Sequence, residues 1–134
     1  MSRKLARENA YILVFEYLFS KSKDERNLDL FLNILDNDTD KKYLVDVVDG
    51  VIEHYDELCE YITPFLNNFT FDRVYKTDLA AILLSTYEMM YREDIPNSVS
   101  ISEAIVLVKK FSCEKSNIFV NGVLSSVNKS LIKG

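Results

Sequence analysis

Leu44, Val48, Val51, Tyr55, Leu58, Ile62 and Phe65 recur at alternating spacings of four and three residues. A strand turns its side chains over every second residue and cannot put these seven on one face; a helix does so over three heptads. Similar spacing recurs elsewhere. Ala6, Ala10, Leu13, Val14, Tyr17 and Leu18 form a stripe between Ser2 and Phe19. Leu79, Ile82, Leu83, Thr86 and Met90 form another, in a helix that runs to about Tyr91. Ala104, Ile105, Val108 and Phe111 make a third, and Phe119, Val120, Val123, Leu124, Val127 and Leu131 a fourth. No stretch alternates as a strand would, and the chain holds only three Gly and two Pro. One-faced helices bury their apolar stripes only against each other, so the expected fold is an all-α bundle. Val47 and Ile52 widen the 44–65 face beyond a coiled-coil seam, which favours a core-facing helix over a dimer seam. A structural dimerisation module built on that seam is the alternative.

Punctuation divides the chain further. Pro64 should end the seam helix near Thr63. Gly50 costs a helix interior about 1 kcal/mol relative to Ala, which a close helix–helix approach would explain. Residues 20–40 read as a short helix closed by an acidic loop that also caps its successor. Thr70 or Asp72 is positioned to cap the next helix. Ser100 and Glu103 have capping-box spacing, predicting a helix start at Ser100 or one residue later. Ser112 to Asn117 is a polar elbow, and the last helix should fray from Ser130 to Gly134. A length of 134 residues suits one domain spanning 1–134 with a substantial core.

The formal charge of -5 argues against nucleic-acid binding by the whole surface and leaves room only for a local basic patch. Arg3, Lys4 and Arg7 lie off the first apolar stripe, and the expectation is that they face solvent. Cations at a helix N-terminus oppose the helix dipole, and such a local conflict often marks function. No run of 18 apolar residues occurs, so no membrane span is expected. Cys59 and Cys113 lie far apart with no secretion signal, which suits reduced thiols in a cytoplasm. His54, the only histidine, has no ligand partners at metal-site spacing and reads as surface or half-buried. Asp36, Asp38 and Asp40 lack the glycine and distal glutamate of a calcium loop. No nucleophile–base set and no phosphate-cradling glycine motif is present, so neither an enzyme nor a cofactor is expected.

A resemblance to a known family rests on long, ordered motifs. Asp94-Ile95-Pro96, Val99, Ile101, Glu103-Ala104, Leu107, a lysine at 109 or 110, Phe111, and the run from Phe119 to Leu124 resemble the C-terminal half of the NusB family of bacterial transcription antitermination factors. The stretch from Asp78 to Pro96 is similar to the family's central helix, and Arg3, Lys4 and Arg7 resemble its arginine-rich opening. The resemblance implies two small helical sub-bundles, about seven helices in all. It also implies binding of the boxA element of ribosomal RNA transcripts, as a heterodimer with the small-subunit ribosomal protein that doubles as NusE. Other Nus factors and RNA polymerase would be further partners, with the chain itself a monomer or homodimer. On this basis Arg3, Lys4, Arg7, Lys115 and Ser116 are candidate RNA contacts, and Asp78 a candidate contact to the ribosomal protein. Two departures stand out. Leu5 replaces one basic position, and Lys115 replaces an acid in the elbow; the expectation is that the second compensates for the first. Tyr11 and Phe65, which could stack on bases, are assigned to the core, and Asn121 and Gly122 to helix packing. The alternative from another class is a helical module related to the N-terminal domain of ribosomal RNA cytosine methyltransferases.

Overall fold

Among the residues that the computed structural model describes, 2–66 and 71–133, there are seven α-helices and no strand. They are α1 (Ser2–Ser20), α2 (Glu25–Ile34), α3 (Asp38–Glu53), α4 (Tyr55–Ile62), α5 (Lys76–Tyr91), α6 (Asn97–Phe111) and α7 (Glu114–Lys133). Helices α1 to α3 pack on one another, as do α5 to α7. The two groups share α5, which also lies against α1, α3 and α4. Every residue from Asp78 to Glu88 is therefore buried, and α5 is the axis of the molecule. Its sequence is apolar nearly all round, as an enclosed helix must be.

The stripes seen in the sequence form the core. Leu44, Val48, Val51, Leu58 and Ile62 are all at most 2% exposed, so the heptad seam points inward and offers no free face for dimerisation. The seam is not one helix, however. His54 adopts φ −100 and ψ 19, and the chain turns there between α3 and α4. His54 N–H still bonds to Gly50 O, and His54 O accepts from Leu58 N–H, so the apolar face passes through the bend. The half-buried His54 ring stacks on Tyr91 at 4.5 Å and its Nδ1 lies 3.0 Å from Glu57. The helical path ends at Ile62, and Pro64 lies in the 3-10 turn that follows, Thr63–Phe65. Gly50 does mark a close approach: a Cβ there would overlap the end of the Tyr87 ring.

Other boundaries depart from expectation. Asn37 caps α3 through Asp40 N–H, with Asp38 and Asp40 in the favourable first turn. Thr70 falls outside the described residues, and Asp72 sits in a 3-10 turn, Phe71–Arg73, upstream of α5. Helix α5 starts after Tyr75 with no side-chain cap. Helix α6 begins three residues before Ser100, because Pro96 O already accepts from the amides of Val99 and Ser100. Ser100 is a buried hydrogen-bond donor rather than a cap. The elbow shrinks to Ser112 and Cys113, and α7 stays helical through Lys133. Asn121 and Gly122 do not serve packing; both are exposed, and a Cβ on Gly122 would meet nothing within 4 Å.

Candidate nucleic-acid interface

The basic opening divides in two. Lys4 is exposed and has no ion pair among the described residues. Arg3 is half-buried; its Nε lies 3.0 Å from Asp40 Oδ1, and its guanidinium sits 4.5 Å from the centre of the Tyr43 ring. Arg7 does not face solvent. It is 6% exposed and points into the molecule. Its Nε and Nη2 donate to the two oxygens of Glu88, at 3.1 and 3.3 Å. Glu88 also accepts from the Tyr43 hydroxyl and, at 2.7 Å, from Ser100 Oγ. Burial alone would lower the Arg7 pKa, but Tyr43, Glu88 and Glu103 nearby outweigh it and hold the guanidinium above its ordinary value. Burial and the Glu88 charge push the Tyr43 phenol well up. The sequence reading missed this cluster, although a signal was present. A glutamate on an otherwise buried apolar helix needs an opposite charge beside it.

From Lys4 a polar edge runs along the outside of α1. One turn on, Glu8 accepts from Lys110 at 2.9 Å, bringing the last turn of α6 against α1. A turn later Tyr11 stacks on Phe111, with ring centres 5.3 Å apart. Tyr11 itself is buried, and its hydroxyl donates to Thr77 O at 2.8 Å. The next residue after Phe111 is Ser112, the elbow. Ser112 Oγ donates to Asp78 Oδ1 at 2.8 Å and lies 2.9 Å from both Thr77 Oγ1 and Ser116 Oγ. The N-terminal foot and the elbow, far apart in sequence, thus lie on one edge. Lys109, exposed, lies beside Lys110 on the same last turn. Neither lysine was singled out from the sequence as a site residue.

At the elbow, Lys115 is exposed at the first turn of α7, whereas Ser116 is 3% exposed and committed to Ser112. Asp78, also 3% exposed, lies at the base of a cleft of about 290 Å³ lined by Arg73, Tyr75, Cys113, Lys115 and Phe119. Phe19 and Tyr75 are exposed aromatics, and Lys76 Nζ lies 5.4 Å from the Phe19 ring centre. Cys59 and Cys113 are free thiols. The Ser116 hydroxyl and the first amides of α7 lower the Cys113 pKa, while burial raises that of Cys59. Phe65 is half-buried beside Tyr61.

Architecture and edge together define an all-α helical-bundle protein in which the basic opening of α1, the last turn of α6 and the elbow are joined by side-chain contacts. The comparisons narrow this class. The NusB family pattern matches residues 4–129. The NusB transcription antitermination protein of Acetivibrio thermocellus is 38% identical over 130 residues, 96% of this chain and 90% of that protein. Its Bacillus subtilis counterpart is 38% identical over 131 residues, 98% of each. Among solved structures, T. maritima NusB superposes with a TM-score of 0.83 at 27% identity, covering 96% of this chain and 92% of that one. Antitermination factors NusB and NusE in complex with double-stranded RNA provide another match, with a TM-score of 0.85 at 24% identity over 96% of this chain and 97% of that one; that likeness speaks to fold alone. The chain belongs to the NusB family.

Proposed function

We propose that this chain binds boxA-type RNA of ribosomal transcripts together with the small-subunit ribosomal protein acting as NusE, using the α1–α6–elbow edge. As a member of its family it is a transcription antitermination factor and not an enzyme. The observation that carries the RNA reading is the continuity of the edge. Lys4, Lys110 and Lys115 stand on elements joined through the Glu8–Lys110 and Tyr11–Phe111 contacts, on a chain whose net charge is -5. Phosphates are held by such point charges, at an affinity that falls with salt. Arg3 and Lys110 contribute in part, since Asp40 and Glu8 already hold them. Arg7 and Ser116 shape the edge from behind, because their polar atoms are spent inside the protein. Lys115 adds the charge that Leu5 does not supply.

The ribosomal protein docks at the neighbouring cleft. Asp78 sets the elbow there through Ser112, and Phe19 and Tyr75 present apolar surface beside it. Two weakly cationic surfaces held side by side raise each other's effective concentration on one strand. The complex works on nascent transcripts in the cytoplasm, with other Nus factors and RNA polymerase as wider partners. No helix among the described residues is long and apolar enough to cross a membrane.

The test is a titration of boxA RNA with the chain, the ribosomal protein and the pair. The pair is expected to bind roughly a hundredfold more tightly than either protein alone, the smaller end of the gain that linkage gives. Equal affinity of the pair and the ribosomal protein alone overturns the reading.

A further inference from the structure

Among the described residues Glu88 is the most enclosed charged group, at 1% exposure on the central helix. An ionised carboxylate among leucines and alanines persists only if its oxygens are satisfied. Here both are. Oε2 accepts from Arg7 Nε and the Tyr43 hydroxyl; Oε1 accepts from Arg7 Nη2 and Ser100 Oγ. The donors come from α1, α3 and α6, so one side chain of α5 ties three other helices together.

The tie matters most for the start of α1. That helix has no acidic residue in its first turn, and Arg3 and Lys4 there oppose its dipole. Its direction is held by tertiary contacts: the buried Ala6 and Ala10 in the core, the partly exposed Arg3–Asp40 pair and the buried Arg7–Glu88 pair. Lys4 stands one turn before Arg7 on the same helix.

We propose that Glu88 is a positioning residue for RNA binding: through Arg7 it aims the first turns of α1 so that Lys4 falls in line with Lys110 and Lys115. The proposal rests on the reading of that edge as the RNA side. It assigns Glu88 no contact with RNA and a specific intermediary, Lys4.

A double-mutant cycle tests this, with boxA RNA and the ribosomal protein present throughout. Lys4→Ala removes one phosphate contact and is expected to weaken binding roughly three- to tenfold. Glu88→Gln should weaken binding by a similar factor in the native background. In the Lys4→Ala background it should change nothing further, because the residue it positions is gone. Val127→Ala, a core truncation in α7, serves as a control for lost stability and is expected to bind as the native chain does. Should Glu88→Gln fail to fold, Arg7→Met/Glu88→Leu removes both charges at similar volume and completes the same cycle. Additive losses, or native affinity for the Glu88 variant, overturn the proposal and leave the RNA edge standing. Failure of the native pair to bind RNA removes both.

Discussion

Lys4 and Arg7 lie one turn apart on the same helix, both from the basic opening, and they serve opposite ends. Lys4 is in water with no ion pair among the described residues; Arg7 is enclosed and bonded to Glu88 at both ends of the guanidinium. The difference follows from their side chains as much as their positions. A guanidinium offers a planar fork of donors that matches a buried carboxylate, while an ammonium is a strongly hydrated point charge suited to an exposed phosphate contact. A basic motif therefore need not be a binding motif throughout. Here one part anchors and another probes.

The contrast is open to direct attack. The largest effect should come from Glu88→Ala, which leaves the Arg7 charge enclosed without a partner and is expected to cost about 3–5 kcal/mol. Lys110→Ala on the edge should stay within about 0.5 kcal/mol of native stability. Denaturant unfolding of both variants decides the matter, and equal losses would erase the distinction between anchor and edge.

The same division of inside from outside extends to the glycines. Gly50→Ala drives a methyl into the Tyr87 ring, which is held by Asp46 and stacked on Tyr91, and should destabilise by about 1–3 kcal/mol. Gly122→Ala meets open space in mid-helix and should stabilise by about 0.5–1 kcal/mol. Thermal melts of the two variants should move in opposite directions.

Enclosed phenols sharpen the picture at high pH. Burial, then the Asp78 charge, pushes Tyr11 up to about 12. Burial, then Asp46, does the same for Tyr87. In the unfolded chain both ionise near 10, so between about 10 and 12 the unfolded state has released protons that the folded state still holds. Their contribution to stability is complete below pH 10 and is lost as the pH climbs through that window. Melting temperature should fall there, and Tyr11→Phe should soften the fall.

The smallest effect concerns the thiols. Alkylation should mark Cys113 well before Cys59, since the first is exposed and acidified at the head of α7 and the second is half-buried with a raised pKa. Mass spectrometry of a partial reaction reads the order.

Much of this was legible in the residues. The inward seam, the close approach at Gly50 and the central apolar helix follow from spacing alone. The bend at His54 does not, since neither Pro nor Gly stands there. The capping box failed because Pro96 starts α6 early, freeing Ser100 to serve Glu88. Periodicity places Arg7 off the stripe but cannot say that α3, α5 and α6 close over it. Gly122 shows the reverse error: a helical glycine suggested packing, and its position faces outward. The elbow and the foot were each visible as candidates; their meeting depends on the last turn of α6 reaching α1, a tertiary fact carried by Lys110 and Phe111.

Salt dependence of RNA binding by the pair tests the edge most directly. Replacing Lys4, Lys110 and Lys115 together by Gln should flatten the slope of log affinity against log salt by about 2, at roughly 0.7 per lost contact on a single strand. The folded state should persist. A variant that keeps both the native slope and the native affinity would place the RNA elsewhere on the protein and contradict the account.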